Sequence, residues 1–208
     1  MEGTNIYRRS EIGDTGRTFE YQMLGEVDVS SPEYEKLLKK LSDKDRPGYI
    51  GRRQALQLVK ESQPGDPENP DRLFLKDLLL EIQDRLEKAG TTAEVRAYTA
   101  VGTPLDHLHG IDAFITAVTE DGKEHLCTID VTLDRDKLKS GHKADLIVGK
   151  LPDPTSCERQ EDDYLKRIER IADQAIAKLN KTMQKDQGMT ETRRRLFGSD
   201  QPEKRVDL

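Results

Sequence analysis

Apolar residues recur along this chain at two spacings, one near 3.6 and one at two, and the alternation between them lays out the elements. Tyr34, Leu37, Leu38 and Leu41 fall on one helical face directly after Ser31-Pro32-Glu33. Ser at the cap and Pro in the first turn predict a helix from there to about Ser42. Ala55, Leu56, Leu58 and Val59 predict a shorter helix over Arg52 to Glu61. The strongest stripe, Phe74, Leu75, Leu78, Leu79, Ile82 and Leu86, predicts a helix from Pro70 to Ala89, opened by Asn69-Pro70 and stopped by Gly90. Leu165, Ile168, Ala172, Ala175, Ile176 and Leu179 predict a long helix, capped by Thr155 or Ser156 and running to about Met183.

Between these helices the period changes. Residues 93 to 100 alternate and read as a strand, and Ala144 to Gly149 read as another. Ile111 to Ile115 and Cys127 to Leu133 are apolar runs separated by Glu120-Asp121-Gly122-Lys123, the pattern of a hairpin. The intervening segment Val101 to Gly110 reads as a loop, and residues 1 to 30 read as an arm with a short strand at Glu26 to Val29. From Gln184 onward the polar sequence predicts a disordered tail. The chain thus divides into an N-terminal arm and helical extension over 1–69, a core with its packing helix over 70–184, and a polar tail over 185–208.

Each strand of the hairpin carries a carboxylate, Asp112 and Asp130, where strand interiors are ordinarily apolar. Whether they meet depends on the turn, since one residue of slip moves a strand's side chains to the other face. A two-residue turn at Asp121-Gly122 sets Asp112 opposite Val131. A three-residue loop with Gly122 left-handed sets Asp112 opposite Asp130, and glycine at the third loop position favours this register. Ala113, Ile115, Ala117, Cys127 and Ile129 then share one face, and Phe114, Val118 and Leu126 share the other with the acids. Both faces are apolar enough to need helical cover. Two buried acids repel each other and are costly to desolvate, so a divalent cation is one reason to keep them. The alternative is that one of them is salt-bridged or lies at a strand end.

Composition limits the remaining possibilities. In 208 residues, charged side chains make up 36% and hydrophobic ones 34%, so part of the surface is long solvated helix or tail. No apolar run approaches a membrane span, and Met1-Glu2-Gly3-Thr4-Asn5 has neither the basic nor the apolar part of a signal peptide; a cytoplasmic protein with no membrane partner is expected. Cys127 and Cys157 form no metal-binding pair and no disulfide framework. The net charge of −6 argues against indiscriminate nucleic-acid binding. It leaves room for a local basic groove, with Lys137, Lys139, His142 and Lys143 following the second acidic strand and Arg193-Arg194-Arg195 reading as solvated surface.

The order helix, strand, strand with Gly110-Ile111-Asp112, strand with Asp130-Val131-Thr132 resembles the core of the PD-(D/E)XK nuclease superfamily, over roughly residues 70 to 150. The resemblance implies an α/β restriction-endonuclease-like core, a small mixed sheet flanked by helices. It implies Asp112 and Asp130 as catalytic acids and ligands of Mg²⁺ or Mn²⁺, with Glu81 as the helix glutamate that joins them. The carbonyl of Val131 is a further candidate ligand. Thr132 stands where the family places its lysine, which leaves Lys137, Lys139 or Lys143 to supply the amine, or a relative without catalysis. The implied activity is metal-dependent phosphodiester hydrolysis on nucleic acid, DNA in the first instance. A noncatalytic binding or scaffold protein on the same fold is the alternative. A zinc-dependent hydrolase is a second, with His107 and His109 as a pair and His125, His142 or a cysteine completing the set. Otherwise Asp106 and His109 hydrogen-bond the loop or line the cleft beside Asp112.

Overall fold

The computed structural model describes residues 16–46, 49–134 and 143–197, the side chains of 185–197 excepted. Among the described residues six helices and four strands follow in the order α1 (Gly16–Leu24), α2 (Pro32–Leu41), α3 (Arg52–Glu61), α4 (Leu73–Lys88), β1 (Ala93–Thr99), α5 (Pro104–His109), β2 (Ala113–Thr119), β3 (Glu124–Val131), β4 (Leu146–Val148) and α6 (Glu158–Phe197). The strands form one mixed sheet in the order β1-β2-β3-β4, antiparallel until β4, which runs parallel to β3. None of the described helices is long and apolar enough to cross a membrane.

Alternation along the strands feeds two apolar layers. Val95, Ala97, Ala113, Ile115, Ala117, Cys127, Ile129 and Val131 face α4 and α6, where Leu75, Leu78, Leu79, Ile82 and Leu86 meet Ile168, Ala172, Ala175 and Leu179. The other face carries Tyr98 and Phe114, stacked at 4.8 Å between ring centroids. Tyr34, Ile50, Leu58, Val59 and Leu105 cover it from α2, α3, the turn between them and α5. The helices of the N-terminal third are therefore one wall of the sheet, and Phe19 and Leu24 of α1 join the opposite layer.

The hairpin has the register that Gly122 favours. Ala113 faces Ile129 and Val118 faces Glu124, Thr119 and Lys123 close the ladder, and Glu120-Asp121-Gly122 form the loop with Gly122 at φ 74°. Ser31 caps α2 as expected, accepting a hydrogen bond from the Tyr34 amide at 3.2 Å.

Several expected boundaries shift. The segment before residue 30 holds a helix, α1, because Phe19 and Leu24 supply an apolar edge that α4 can bury. Residues 26 to 29 form no strand; Val27 is buried and its amide reaches the Val101 carbonyl at 3.3 Å. The loop at 101–110 contains α5, capped by the Thr103 hydroxyl and stopped by Gly110 at φ 62°. Helix α4 begins at Leu73, since the preceding segment is used otherwise: the Pro67 carbonyl accepts from Ala97 on β1, and Asn69 closes a turn onto Asp66. Thr155 folds onto the Asp153 carboxylate, so α6 starts at Glu158. Instead of a disordered tail after Met183, α6 continues to Phe197 through residues such as Gln184, Lys185 and Glu191 that sustain a helix once it is nucleated.

Candidate functional site

Asp112 lies immediately before β2, one step past the Ala113–Ile129 pair, so the register carries it opposite Asp130. The ladder changes partners there. The Asp112 amide donates to the Ile129 carbonyl at 2.9 Å, and its carboxylate accepts from the Val131 amide at 2.8 Å. A side chain thus takes up an amide at the end of the ladder, which fits the strand-end alternative for this acid. Asp112 is only 4% exposed and Asp130 only 5%. Asp130 alternates with Ile129 and Val131, which enter the α4–α6 layer, so it belongs to the opposite face.

Two further acids reach Asp112 from outside the hairpin. Asp106 on α5 and Glu20 on α1 each place a carboxylate oxygen so that the three groups lie within 4.8 Å of one another. Asp106 is fixed by the turn into α5, where its Oδ2 accepts from the Gly102 amide at 3.0 Å. This one residue both ties the loop and lines the site beside Asp112. Burial raises the Asp112 carboxyl to about 8 against the opposing pull of the Val131 amide, and the charges of Asp130, Glu20 and Asp106 push the same way. Asp130 weighs more in that repulsion than Glu20 or Asp106. Three carboxylates this close offer oxygen donors of the kind that hard divalent cations take.

The other expected participants are placed elsewhere. Glu81 is ion-paired with Arg85 at 2.6 Å, and Arg85 also binds Asp173 across the α4–α6 seam. Among the described residues the acids that lie within 4.8 Å of one another are Glu20, Asp106 and Asp112, and neither Glu81 nor Asp130 is in that group. Thr132 is buried, donating its amide to the Val148 carbonyl at 2.9 Å and accepting the Asp134 amide at its hydroxyl at 3.1 Å. Lys143 is exposed and lies against the end of α5, with Nζ 3.5 Å from the Leu108 carbonyl and Cδ beside Gly110. Lys137, Lys139 and His142 lie outside the described residues.

His107 and His109 do not form a pair. Two residues apart on a helix, they diverge: His107 Nδ1 lies 3.5 Å from Asp106, and His109 Nε2 bonds the Ile50 carbonyl at 3.0 Å. Among the described residues no group of three possible ligands contains a histidine or cysteine. Cys127 is buried, with its thiol raised to about 12 by burial, and Cys157 is exposed; both are free.

Asp106 was legible from its place in the segment leading to Asp112. Glu20 was not, because nothing local distinguishes it from the other acids of an amphipathic helix and only the packing of α1 brings it to β2. Compared with protein-family models, curated proteins and solved structures, the chain matches none.

Proposed function

We propose that the acids gathered at the end of β2 and β3 bind Mg²⁺ or Mn²⁺ and that the protein hydrolyses phosphodiester bonds of nucleic acid, with DNA as the first substrate to test. The observation that carries this reading is the convergence of Glu20, Asp106 and Asp112 within 4.8 Å of one another, Asp112 being the buried member whose carboxyl Asp130 also repels. The order α4, β1, β2, β3 with a parallel β4 supports a restriction-endonuclease-like core as its scaffold. In this reading Glu20 takes the part of the helix glutamate, and Glu81 stays in its structural ion pair.

Glu20, Asp106 and Asp112 would hold the ion, which would supply an electrophile for the phosphate and an acidified water. As a ligand Asp112 would have to be ionised, and a neighbouring cation would offset the penalty that burial places on its charge. Asp130 and Asp106 hold the remaining charge balance, with Asp106 kept in orientation by the Gly102 amide. Lys143 is the proposed amine for the phosphate; its position against Leu108 and Gly110, two residues before Asp112, supports that choice.

A specific observation supports the noncatalytic alternative: Thr132 fills the usual lysine position, and its hydroxyl is committed to the Asp134 amide. The test is cleavage of labelled DNA by purified protein with Mg²⁺ or Mn²⁺, with chelator, and in Asp112→Asn, Asp130→Asn and Lys143→Ala. The expected outcome is metal-dependent cleavage that falls about 100-fold or more in Asp112→Asn, where an amide keeps the shape and removes the ligand charge, and that falls in Asp130→Asn through loss of the neighbouring charge. Lys143→Ala should lower kcat more than it raises KM. Cleavage that survives both acid substitutions, or none on any nucleic acid, would remove the hydrolytic reading.

A further inference from the structure

One face of α2 and the end of α3 enclose a cleft of about 450 Å³ whose wall is mainly apolar. Clefts that take small molecules run from about 300 to 1,000 Å³. None of the acids around Asp112 lines it. Tyr34 stands in the wall with only 4% of the residue exposed. Its amide reaches Ser31, yet among the described residues nothing bonds its hydroxyl, and burial alone pushes that hydroxyl up to about 12. Nor is the oxygen sealed in the core, so it opens on the cleft. A buried tyrosine ordinarily finds a partner for its O–H. The neighbouring hydroxyls are already committed: Ser31 donates to the Asp28 carbonyl at 3.2 Å, and Ser62 donates to the Leu58 carbonyl at 2.6 Å.

We propose that this cleft binds a neutral, mainly apolar small molecule carrying one hydrogen-bond acceptor, such as a carbonyl, that takes the Tyr34 O–H. The charged residues around the cleft set the ligand's charge. Asp28, Glu33 and Glu61 stand against Lys36 and Lys40, so the mixture favours neither a strong anion nor a strong cation. Asp28 and Glu61 are further occupied by hydrogen bonds from Ser30 and Gln57. Leu37 and Pro64 offer surface to the apolar body of the ligand, whose burial supplies the drive to bind. A neutral phenol is a ready donor, and a donor set among apolar walls fixes the orientation of what binds there. This site shares no residue with the acid cluster and requires no phosphodiester substrate, so it stands whether or not the protein is hydrolytic.

The test follows backbone amide chemical shifts of the isotope-labelled full chain during titration with acetophenone and with ethylbenzene, which has nearly the same shape and lacks the carbonyl. Acetophenone should shift the amides of Tyr34, Leu37 and Ser62 and saturate. Tyr34→Phe should weaken acetophenone about 3- to 10-fold, the worth of one neutral hydrogen bond, and leave ethylbenzene within about twofold. Because the hydroxyl has no partner among the described residues, the same variant should keep its denaturant midpoint. A lowered midpoint would place a protein partner on the hydroxyl and overturn the inference. So would the absence of any saturable shift along α2 with either compound, an acetophenone affinity unchanged in Tyr34→Phe, or an equal loss for both compounds.

Discussion

Two aspartates that each immediately precede a strand, Asp112 before β2 and Asp145 before β4, show how differently the fold treats a carboxylate. Asp145 is partly buried, which would raise its carboxyl, yet Lys178 at 2.5 Å and the amide and hydroxyl of Thr128 hold it below the usual range. Asp112 has one amide donor and three acids around it, and its carboxyl rises to about 8. The raised value fixes the sign of a pH dependence. Below the ordinary carboxyl pKa near 4, both folded and unfolded chains hold the proton and Asp112 costs nothing. As pH rises from about 4 to about 8 the unfolded chain releases it first, so stability falls across that window and levels off above it. Asp112→Asn, whose amide oxygen still accepts from Val131, should flatten that decline and exceed the unsubstituted protein by a few kcal/mol, roughly, near pH 8. Denaturant titrations across pH in chelator would show this; parallel pH profiles would mean that Asp112 is not the strained group.

At the scale of the element, the hairpin's register decides whether Asp112 and Asp130 face each other, and Gly122 decides the register. A Cβ built at Gly122 meets nothing within 4 Å, so the need for glycine is entirely one of backbone conformation, at φ 74°. Gly122→Ala should cost about 1–2 kcal/mol, the penalty of a left-handed L-residue. The loss should appear as a lowered denaturant midpoint with unchanged slope. A variant as stable as the parent would show that the loop has another conformation open to it. Helix α5 adds the second lever, since the Thr103 cap and the Gly102 amide aim Asp106 at the start of β2.

Across the whole molecule, one sheet is shared by two apolar layers, and neither is complete without it. Leu58 of α3 and Leu78 of α4 are both fully buried, on opposite faces. Each change to alanine should destabilise by about 2–5 kcal/mol, the range for truncating a packed leucine. Both should act on a single transition, because Tyr98 and Phe114 in one layer are bonded along the same strands as Ala97 and Ala113 in the other. Separate transitions for the two variants, seen by circular dichroism and tyrosine fluorescence, would show that the N-terminal helices unfold independently.

The sequence by itself determined the elements whose signals are local. Ser31-Pro32 opens α2, the stripe from Phe74 to Leu86 makes α4, and Gly122 sets the hairpin, because caps, helical period and a left-handed glycine act within a few residues. It also marked Asp112 and Asp130 as acids out of place in strands. Tertiary structure decided the rest. Helix α1 carries too few apolar residues to stand out in sequence and is held by the surface of α4; α5 is six residues long, too short to announce itself by period. The site follows the same division. The hairpin acids were legible because both lie in one local motif, whereas Glu20 joins Asp112 from 92 positions away and Glu81, nearer in sequence, is taken by Arg85. Which carboxylates converge is a matter of how helices cross the end of a sheet, and that is set by packing of the whole core, not by spacing along the chain.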